Sequence, residues 1–466
     1  MTDHASMTNH ASMTDHASLA ASFNKDEPRV DWHDATLWQV REKRDRAAAS
    51  VPEWEQLREL ASQIKQHTLS DLDRLLIRFE KNAQANGMVV HWAADAREHN
   101  EIVFQLIRSH DISRIVKSKS MLTEECGLNE FLAEKGIAVV DTDLGEYIVQ
   151  LRGEPPSHIV LPAIHLKRED VSDTFHAHLN TEKGNSDPSY LTAMARTALR
   201  DKFVRSELAI TGVNFAVAET GAFVVCTNEG NADMGAHSAS LHIACMGIEK
   251  IIPNTEHLGV FLRLLARSAT GQPITTYSSH FRKPRAGQQI HIVLVDNGRT
   301  RHLAQPDFRN ALKCIRCAAC FNTCPVYRKS GGYSYHSTVA GPIGAILNPN
   351  IDLRKNADLP FASTLCGSCS NVCPVKIDIH TQLWKWRQVL AAEGALPRGK
   401  RRAMKGMAYI FSSPRLYRIT GKIGRIVMRV LPFLVANKLW NPWYRQREMP
   451  RPPGQSFNSW WRSNRK

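Results

Sequence analysis

A chain of 466 residues is too long for one ordinary domain, so two or three are expected. Hydrophobic residues make up 43%, the composition of a globular protein with a sizeable core. The net charge is +15, yet residues 399–466 alone hold 16 Lys and Arg against one acid, Glu448; the excess belongs to a basic tail and the rest of the chain is near neutral.

The first eighteen residues repeat a hexad three times: Met1-Thr-Asp-His-Ala-Ser, then near copies from Met7 and Met13. Six-residue spacing fits neither helix nor coiled coil. Residues 1–50 are therefore read as a disordered segment, and His4, His10 and His16 as tail histidines. From Trp54 to Asn86 the residues Leu57, Leu60, Ile64, Leu72, Leu75, Leu76 and Phe79 recur at three- and four-residue steps, which predicts helices stopped by Gly87. Met88–Trp92 reads as a buried strand, Glu101–Arg108 as a helix, Ser113–Lys117 as a strand, and Glu124–Glu134 as a helix ended by Gly136. Further strands are expected at Ile137–Val140, Ile159–Pro162, Ala209–Ala218, Gly221–Cys226 and Ile290–Val295. Alternating strands and helices predict an α/β domain with a largely parallel sheet over residues 51–297, N-terminal helices included. The turn signal Asp296-Asn297-Gly298 closes it.

Residues 298–388 have a different character. Cys314-x2-Cys317-x2-Cys320-x3-Cys324-Pro325 is the run that binds iron–sulfur clusters in bacterial ferredoxins. In two-cluster proteins the first three thiolates hold one cluster and the fourth holds the other. The second run is Cys366-x2-Cys369-x3-Cys373-Pro374, and its opening position falls on Ser363. By the crossed rule Cys314, Cys317, Cys320 and Cys373 hold cluster one, while Cys324, Cys366 and Cys369 hold cluster two, one thiolate short. Ser363, another side chain such as His336, or a solvent or substrate oxygen could complete a [4Fe-4S] core; the alternative is a [3Fe-4S] cluster. Zinc is the competing metal, but soft thiolates at this spacing followed by proline favour iron. Seven of the ten cysteines lie between Cys314 and Cys373, which speaks against a spread disulfide framework. With no apolar stretch at the N-terminus, a reducing, cytoplasmic setting is expected. No G-x-G-x-x-G and no P-loop occurs, so the electron source is expected in another subunit.

The run Cys314–Arg328, the stretch Gly331-Gly-Tyr-Ser-Tyr, Gly341-Pro-Ile-Gly-Ala and Leu365–Lys376 resemble the lactate utilization protein B family of bacteria. Ala218-Glu-Thr-Gly-Ala, Pro156-Ser-His-Ile and Leu396-Pro-Arg-Gly-Lys extend the resemblance to nearly all of the chain after about residue 50. The resemblance implies an α/β lactate-utilisation domain with the fold of sugar-phosphate isomerases and CoA transferases, then an α-helical two-cluster ferredoxin-type domain and a basic helical or irregular tail (389–466). It implies a cytoplasmic three-protein system oxidising L-lactate to pyruvate, with this chain as its two-[4Fe-4S] electron-transfer component and not an independent catalyst. It also implies seven ligands and a non-cysteine at 363. The alternative is an enzyme whose α/β domain, or an open iron of cluster two, binds and transforms a 2-hydroxy acid or a thioester.

Other residues are weighed against blander roles. Glu219, between two strand-like runs, could attack a thioester carbonyl, or be a carboxylate held by backbone amides. His158 and His165 could act as ligands or bases, but packed histidines are expected. Asp141 and Asp143 read as a solvated strand edge, and Cys126, Cys226 and Cys245 as small buried apolar residues. In the tail, Ile423–Ala436 is too short and too charged to span a bilayer. The tail is expected to lie on the inner membrane surface or to dock on another subunit of a lactate-oxidising complex, and no nucleic-acid partner is expected.

Overall fold

The computed structural model describes residues 15–396, 398–435 and 451–465. These residues fall into two compact units, divided between Val389 and Leu390. Ten strands lie in the first: β1 (Val89–Ala93), β2 (Ile115–Lys117), β3 (Val139–Asp141), β4 (Leu208–Gly212), β5 (Phe215–Val217), β6 (Ala222–Thr227), β7 (Leu241–Gly247), β8 (Ile251–Ile252), β9 (Tyr277–Phe281) and β10 (Gln289–Val295).

Six of them form a sheet in the order β1-β10-β7-β4-β2-β3, every neighbour pair parallel. Its inner strand β7 is buried along its whole length, as a strand covered on both faces must be. The other four form a smaller mixed sheet, β8-β5-β6-β9. The expected strand Ala209–Ala218 is two strands: β4 joins the parallel sheet and β5 the mixed one. Between them Asn214 accepts from the Cys226 amide through its side chain at 2.8 Å. The expected strand Ile159–Pro162 is irregular loop. There the amides of Val160 and Leu161 donate to Nδ1 of His158, at 3.1 and 2.9 Å, instead of to a neighbouring strand. The expected helix Glu124–Glu134 is broken into Met121–Glu125 and Leu128–Glu134 by Gly127, whose φ is 63°.

Residues before 50 differ most from expectation. Helices run over His16–Phe23 and Glu27–Ala49. The second is started by Asp26, whose carboxylate accepts from the Arg29 amide, and by Pro28 in its first turn. The helix does not stand on propensity alone: Leu37 and His33 are buried against the rest of the fold. His16, in the third hexad, packs edge-on against Tyr335, with ring centroids 4.8 Å apart, and its amide donates to Asp358. The first two hexads lie outside the described residues.

The helix Trp54–Ser70 ties the unit together. Trp54, Leu57, Ala61 and Ile64 bury one stripe at helical spacing. Arg58 and Lys65 lie on the same buried side. These apolar residues share a core with Phe215 and Phe261 of the α/β part and with Phe321, Tyr327, Ile343 and Val372 of the cysteine region. Cys317, Cys320, Cys324, Cys369 and Cys373 belong to that same core, so the cysteine region is not packed apart from the α/β domain.

In the second unit the helices Arg398–Ser412 and Pro414–Val430 have no buried residue and no acidic side chain. Among the described residues no helix is long and apolar enough to cross a membrane.

Candidate iron–sulfur centre

Two cysteine loops face each other across two short helices, Ala319–Thr323 and Ser368–Val372, which pack together. A small cavity is lined by Cys314, Cys317, Cys320 and Cys373, with Ile159, Ile343, Val375 and Ile377 as its apolar walls. Cys373 comes from the second run, so this cavity gathers the crossed set expected for cluster one. Cys324, Cys366 and Cys369 lie outside it and act electrostatically on one another. Cys320 senses Cys369 as well as its own set, which places the two groups side by side. Cys366 is exposed, whereas Cys317, Cys320 and Cys373 are buried.

The thiols are in surroundings that oppose charge. Burial pushes Cys373 up to about 11 and Cys369 up to about 12, and raises Cys317, Cys320 and Cys324 as well. Neighbouring thiolates add to the rise at Cys317, Cys320 and Cys369. Such a set ionises only with a cationic core to take its charge. Backbone donors are already in place: Arg316 N reaches Cys314 Sγ at 3.3 Å, Tyr327 N reaches Cys324 Sγ at 3.5 Å and Ile377 N reaches Cys373 Sγ at 3.4 Å. Amides aimed at sulfur suit cluster ligation. Among the described residues no three His, Cys, Asp or Glu side chains are grouped for a single metal ion; a polynuclear core spreads its thiolates over separate irons.

Buried arginines fix the loops. Arg58 donates Nε and Nη2 to the carbonyl of Cys373, at 3.0 and 2.9 Å, and Nη2 to that of Asn371 at 2.6 Å. Arg44 donates to the carbonyl of Val372 at 3.1 Å. Sequence reasoning missed both; the signal for Arg58 was its place beside Leu57 and Ala61 on an apolar stripe. Gly332 also serves the joint: a Cβ there would stand 1.8 Å from the Ser157 carbonyl oxygen, so only glycine lets the two segments meet.

The remaining candidates have structural partners. His158 is fully enclosed and burial lowers it to about 3, so it is neutral. Its Nε2 bonds Asn322 Oδ1 at 3.1 Å and its ring meets Phe321 edge-on, which joins the loop to the first cluster helix. His165 is held between Ser157, Glu154 and Tyr333. Glu219 is exposed and accepts from the amide and hydroxyl of Thr255, the backbone-held carboxylate anticipated as the bland alternative. Asp141 is not at a solvated edge. It pairs with Lys117 at 2.7 Å inside the protein, beside Glu124 and Glu146. Burial pushes the Glu146 carboxyl well above the usual carboxylate range, against the pull of Lys117. Asp143 caps the helix Leu144–Arg152 and pairs with Lys119 at 3.1 Å. His336 is bound to Asp358 at 3.1 Å. Cys126 and Cys245 are buried, as expected of packed thiols, whereas Cys226 is only half-buried because it lines a cavity.

A second feature was not legible in the sequence. A cavity of about 540 Å³ opens beyond the carboxyl ends of β2, β4 and β7, the place where α/β sheets hold ligands. Lys119, Gly212 and Gly247 line it, and its far wall is Arg316 and Cys317 of the first cysteine loop. Arg299 is matched by Glu125 at 3.0 Å and Glu249 at 2.5 Å. Lys250 makes no hydrogen bond or ion pair among the described residues, and Nη1 of Arg316 is buried without a hydrogen-bond partner.

Comparison with known proteins agrees with this architecture. The LUD domain family matches residues 76–302, the 4Fe-4S dicluster domain family residues 310–377, and the family described as lactate utilisation protein B, C-terminal, residues 385–466. An α/β LUD domain followed by a ferredoxin-type 4Fe-4S domain defines an iron–sulfur protein. Lactate utilization protein B of Oceanobacillus iheyensis is 40% identical over 428 residues, 89% of each chain. That of Bacillus cytotoxicus is 41% identical over 434 residues, 90% of this chain and 91% of its own. The chain belongs to the lactate utilization protein B family. A crystal structure of a DUF162 family protein from Deinococcus radiodurans is 12% identical, covers 48% of this chain and 98% of its own, and has a TM-score of 0.27.

Proposed function

We propose that this chain is the electron-transfer component of a multi-protein system that oxidises L-lactate to pyruvate, and that its seven cysteines hold two clusters. The crossed grouping of the thiols carries this reading: Cys373 joins Cys314, Cys317 and Cys320 around one cavity, while Cys324 joins Cys366 and Cys369. Bound clusters supply one-electron storage, and oxidation of a 2-hydroxy acid to a 2-oxo acid releases two electrons and two protons, which two such centres match in number. Ile159, Ile343, Val375 and Ile377 surround the first group of thiols with apolar side chains. Cys366 presents the second group to the surface, where a partner could approach. Cys317→Ala should remove one cluster and leave the other, read as a loss of about half the iron and labile sulfide. Unchanged iron in that variant would refute the ligand set.

The basic tail is proposed to rest on an anionic membrane surface. Ile419, Ile423, Ile426 and Val430 are exposed at helical spacing on the helix Pro414–Val430, and Arg415, Arg418, Lys422, Arg425 and Arg429 recur between them. That pattern suits an interfacial helix.

One observation favours a second reading, in which the α/β domain itself takes an organic acid. The 540 Å³ cavity brings Lys250 and Arg316 to the wall it shares with Cys317. Calorimetric titration of the purified protein with lactate and pyruvate tests it. Saturable binding weakened about tenfold by Lys250→Gln would support it, since a charge-assisted hydrogen bond is worth that much. No binding by the cluster-loaded protein would eliminate it.

A further inference from the structure

We propose that Ser363 is the fourth ligand of the second cluster and binds its remaining iron through the side-chain oxygen. The proposal rests on the two-cluster reading above and completes it.

The two cysteine loops are copies of one backbone shape. In the first, Arg316 and Ala318 have φ of 60° and 61°. At the matched positions of the second, Leu365 and Gly367 have φ of 55° and 78°. Three non-glycine residues in the left-handed region are unfavourable locally, so the surrounding structure holds both loops in this shape. The side chains that open the two loops also correspond. Cys314 Sγ accepts from the amide two residues on, Arg316 N, at 3.3 Å. Ser363 Oγ accepts from the amide two residues on, Leu365 N, at 3.1 Å. Ser363 therefore stands in the second loop as Cys314 stands in the first, where Cys314 faces the cavity of its cluster.

The surroundings agree. Cys324, Cys366 and Cys369 are the three thiols grouped on this side, one short of a cubane's four. Arg387 donates to the Ser363 carbonyl at 2.8 Å and pins its backbone. His336, the other side chain weighed for this role, has its ring nitrogen on both oxygens of Asp358, at 3.2 and 3.1 Å. On ligation the serine O–H bond breaks, an iron–oxygen bond forms, and the proton passes to solvent, which reaches this half-exposed residue. The Leu365 amide then donates to a negatively charged oxygen, a stronger bond than the one it makes to a hydroxyl.

The test uses full-length protein purified without oxygen, together with Ser363→Ala and Ser363→Cys, analysed by iron and sulfide content, EPR and Mössbauer spectroscopy. In the wild type one iron of cluster two should have the Mössbauer parameters of an oxygen ligand. Ser363→Ala should lose that iron and show the oxidised-state signal of a three-iron cluster, with cluster one unaltered. Ser363→Cys should keep the iron and turn its parameters into those of a thiolate site. A wild type that already holds a three-iron cluster, or a Ser363→Ala protein with unchanged iron and spectra, would overturn the assignment; the second result would make solvent the ligand. Ser363→Cys decides the matter even if Ser363→Ala fails to fold, because an unchanged spectrum there also overturns it. Absence of both clusters from the wild type would instead sink the two-cluster reading.

Discussion

Arg58→Met isolates the contact that holds the second cysteine loop. Arg58 is buried, and its guanidinium gives three hydrogen bonds to the carbonyls of Asn371 and Cys373. Methionine keeps most of the apolar stem and removes every donor. The carbonyls of Asn371 and Cys373 then lose their charged partner. The Cys373 carbonyl keeps the Lys376 amide at 3.2 Å, so the main cost is the Asn371 carbonyl left without its donor, about 1–3 kcal/mol. The ion pair with Glu55 adds little, because Glu55 is 63% exposed and Lys376 stands 3.8 Å from it. The loss should fall on the joint between the helix Trp54–Ser70 and the cluster loop. Anaerobic urea titration followed by visible absorbance should show bleaching at lower denaturant in Arg58→Met, and a chelator should strip iron faster. Glu55→Gln is the control and should behave as wild type. A variant within about 1 kcal/mol of wild type, with the same rate of iron loss, would refute the claim that this arginine secures the loop.

Three further outcomes follow from other parts of the molecule. His242 is buried in the sheet beside Thr211 and lowered by burial to about 3, against 6.5 when free. The unfolded chain takes up that proton below pH 6.5 and the folded chain does not, so its contribution is complete above 6.5 and falls by up to about 1.4 kcal/mol per pH unit as pH drops toward 3. His242→Gln should therefore lose less stability than wild type between pH 7.5 and 5.5 in urea titrations; parallel losses would contradict the assignment. Gly332→Ala should destabilise sharply, because its Cβ meets the Ser157 carbonyl, while Gly367→Ala meets no atom within 4 Å and should suffer only from its φ of 78°; equal melting temperatures for the two would be the wrong result. Co-sedimentation with vesicles rich in phosphatidylserine should fall at high salt and with glutamate at Arg418, Lys422 and Arg425, since each basic residue near such a surface contributes about 1 kcal/mol; salt-independent binding would reject lipid docking.

The cysteine set was legible because its information is local: four residues at fixed spacing make one loop, whatever packs around it. The α/β class was legible for a similar reason, since β1, β2, β6 and β10 are short apolar runs bounded by turns. The missed elements depend on distant partners. β7 is an inner strand of the parallel sheet, but His242 interrupts its apolar run and is tolerated only as a neutral ring on Thr211. The helix Glu27–Ala49 is rich in charge and reads as solvent-exposed; Arg44 is buried in it because Val372 offers a carbonyl from a segment more than three hundred residues away. Ile159–Pro162 has the composition of a strand, but His158 satisfies its amides. The cavity against Cys317 had no signature either, since its walls come from β2, β4, β7 and the first cysteine loop at once.

The central claim is that these seven thiols grip two neighbouring iron–sulfur cores. EPR of anaerobically purified, fully reduced protein tests it most directly, with iron and acid-labile sulfide measured on the same sample. Two magnetically interacting signals, with metal and sulfide in the amounts two clusters require, are the result predicted. A colourless protein that holds zinc and no labile sulfide would contradict it.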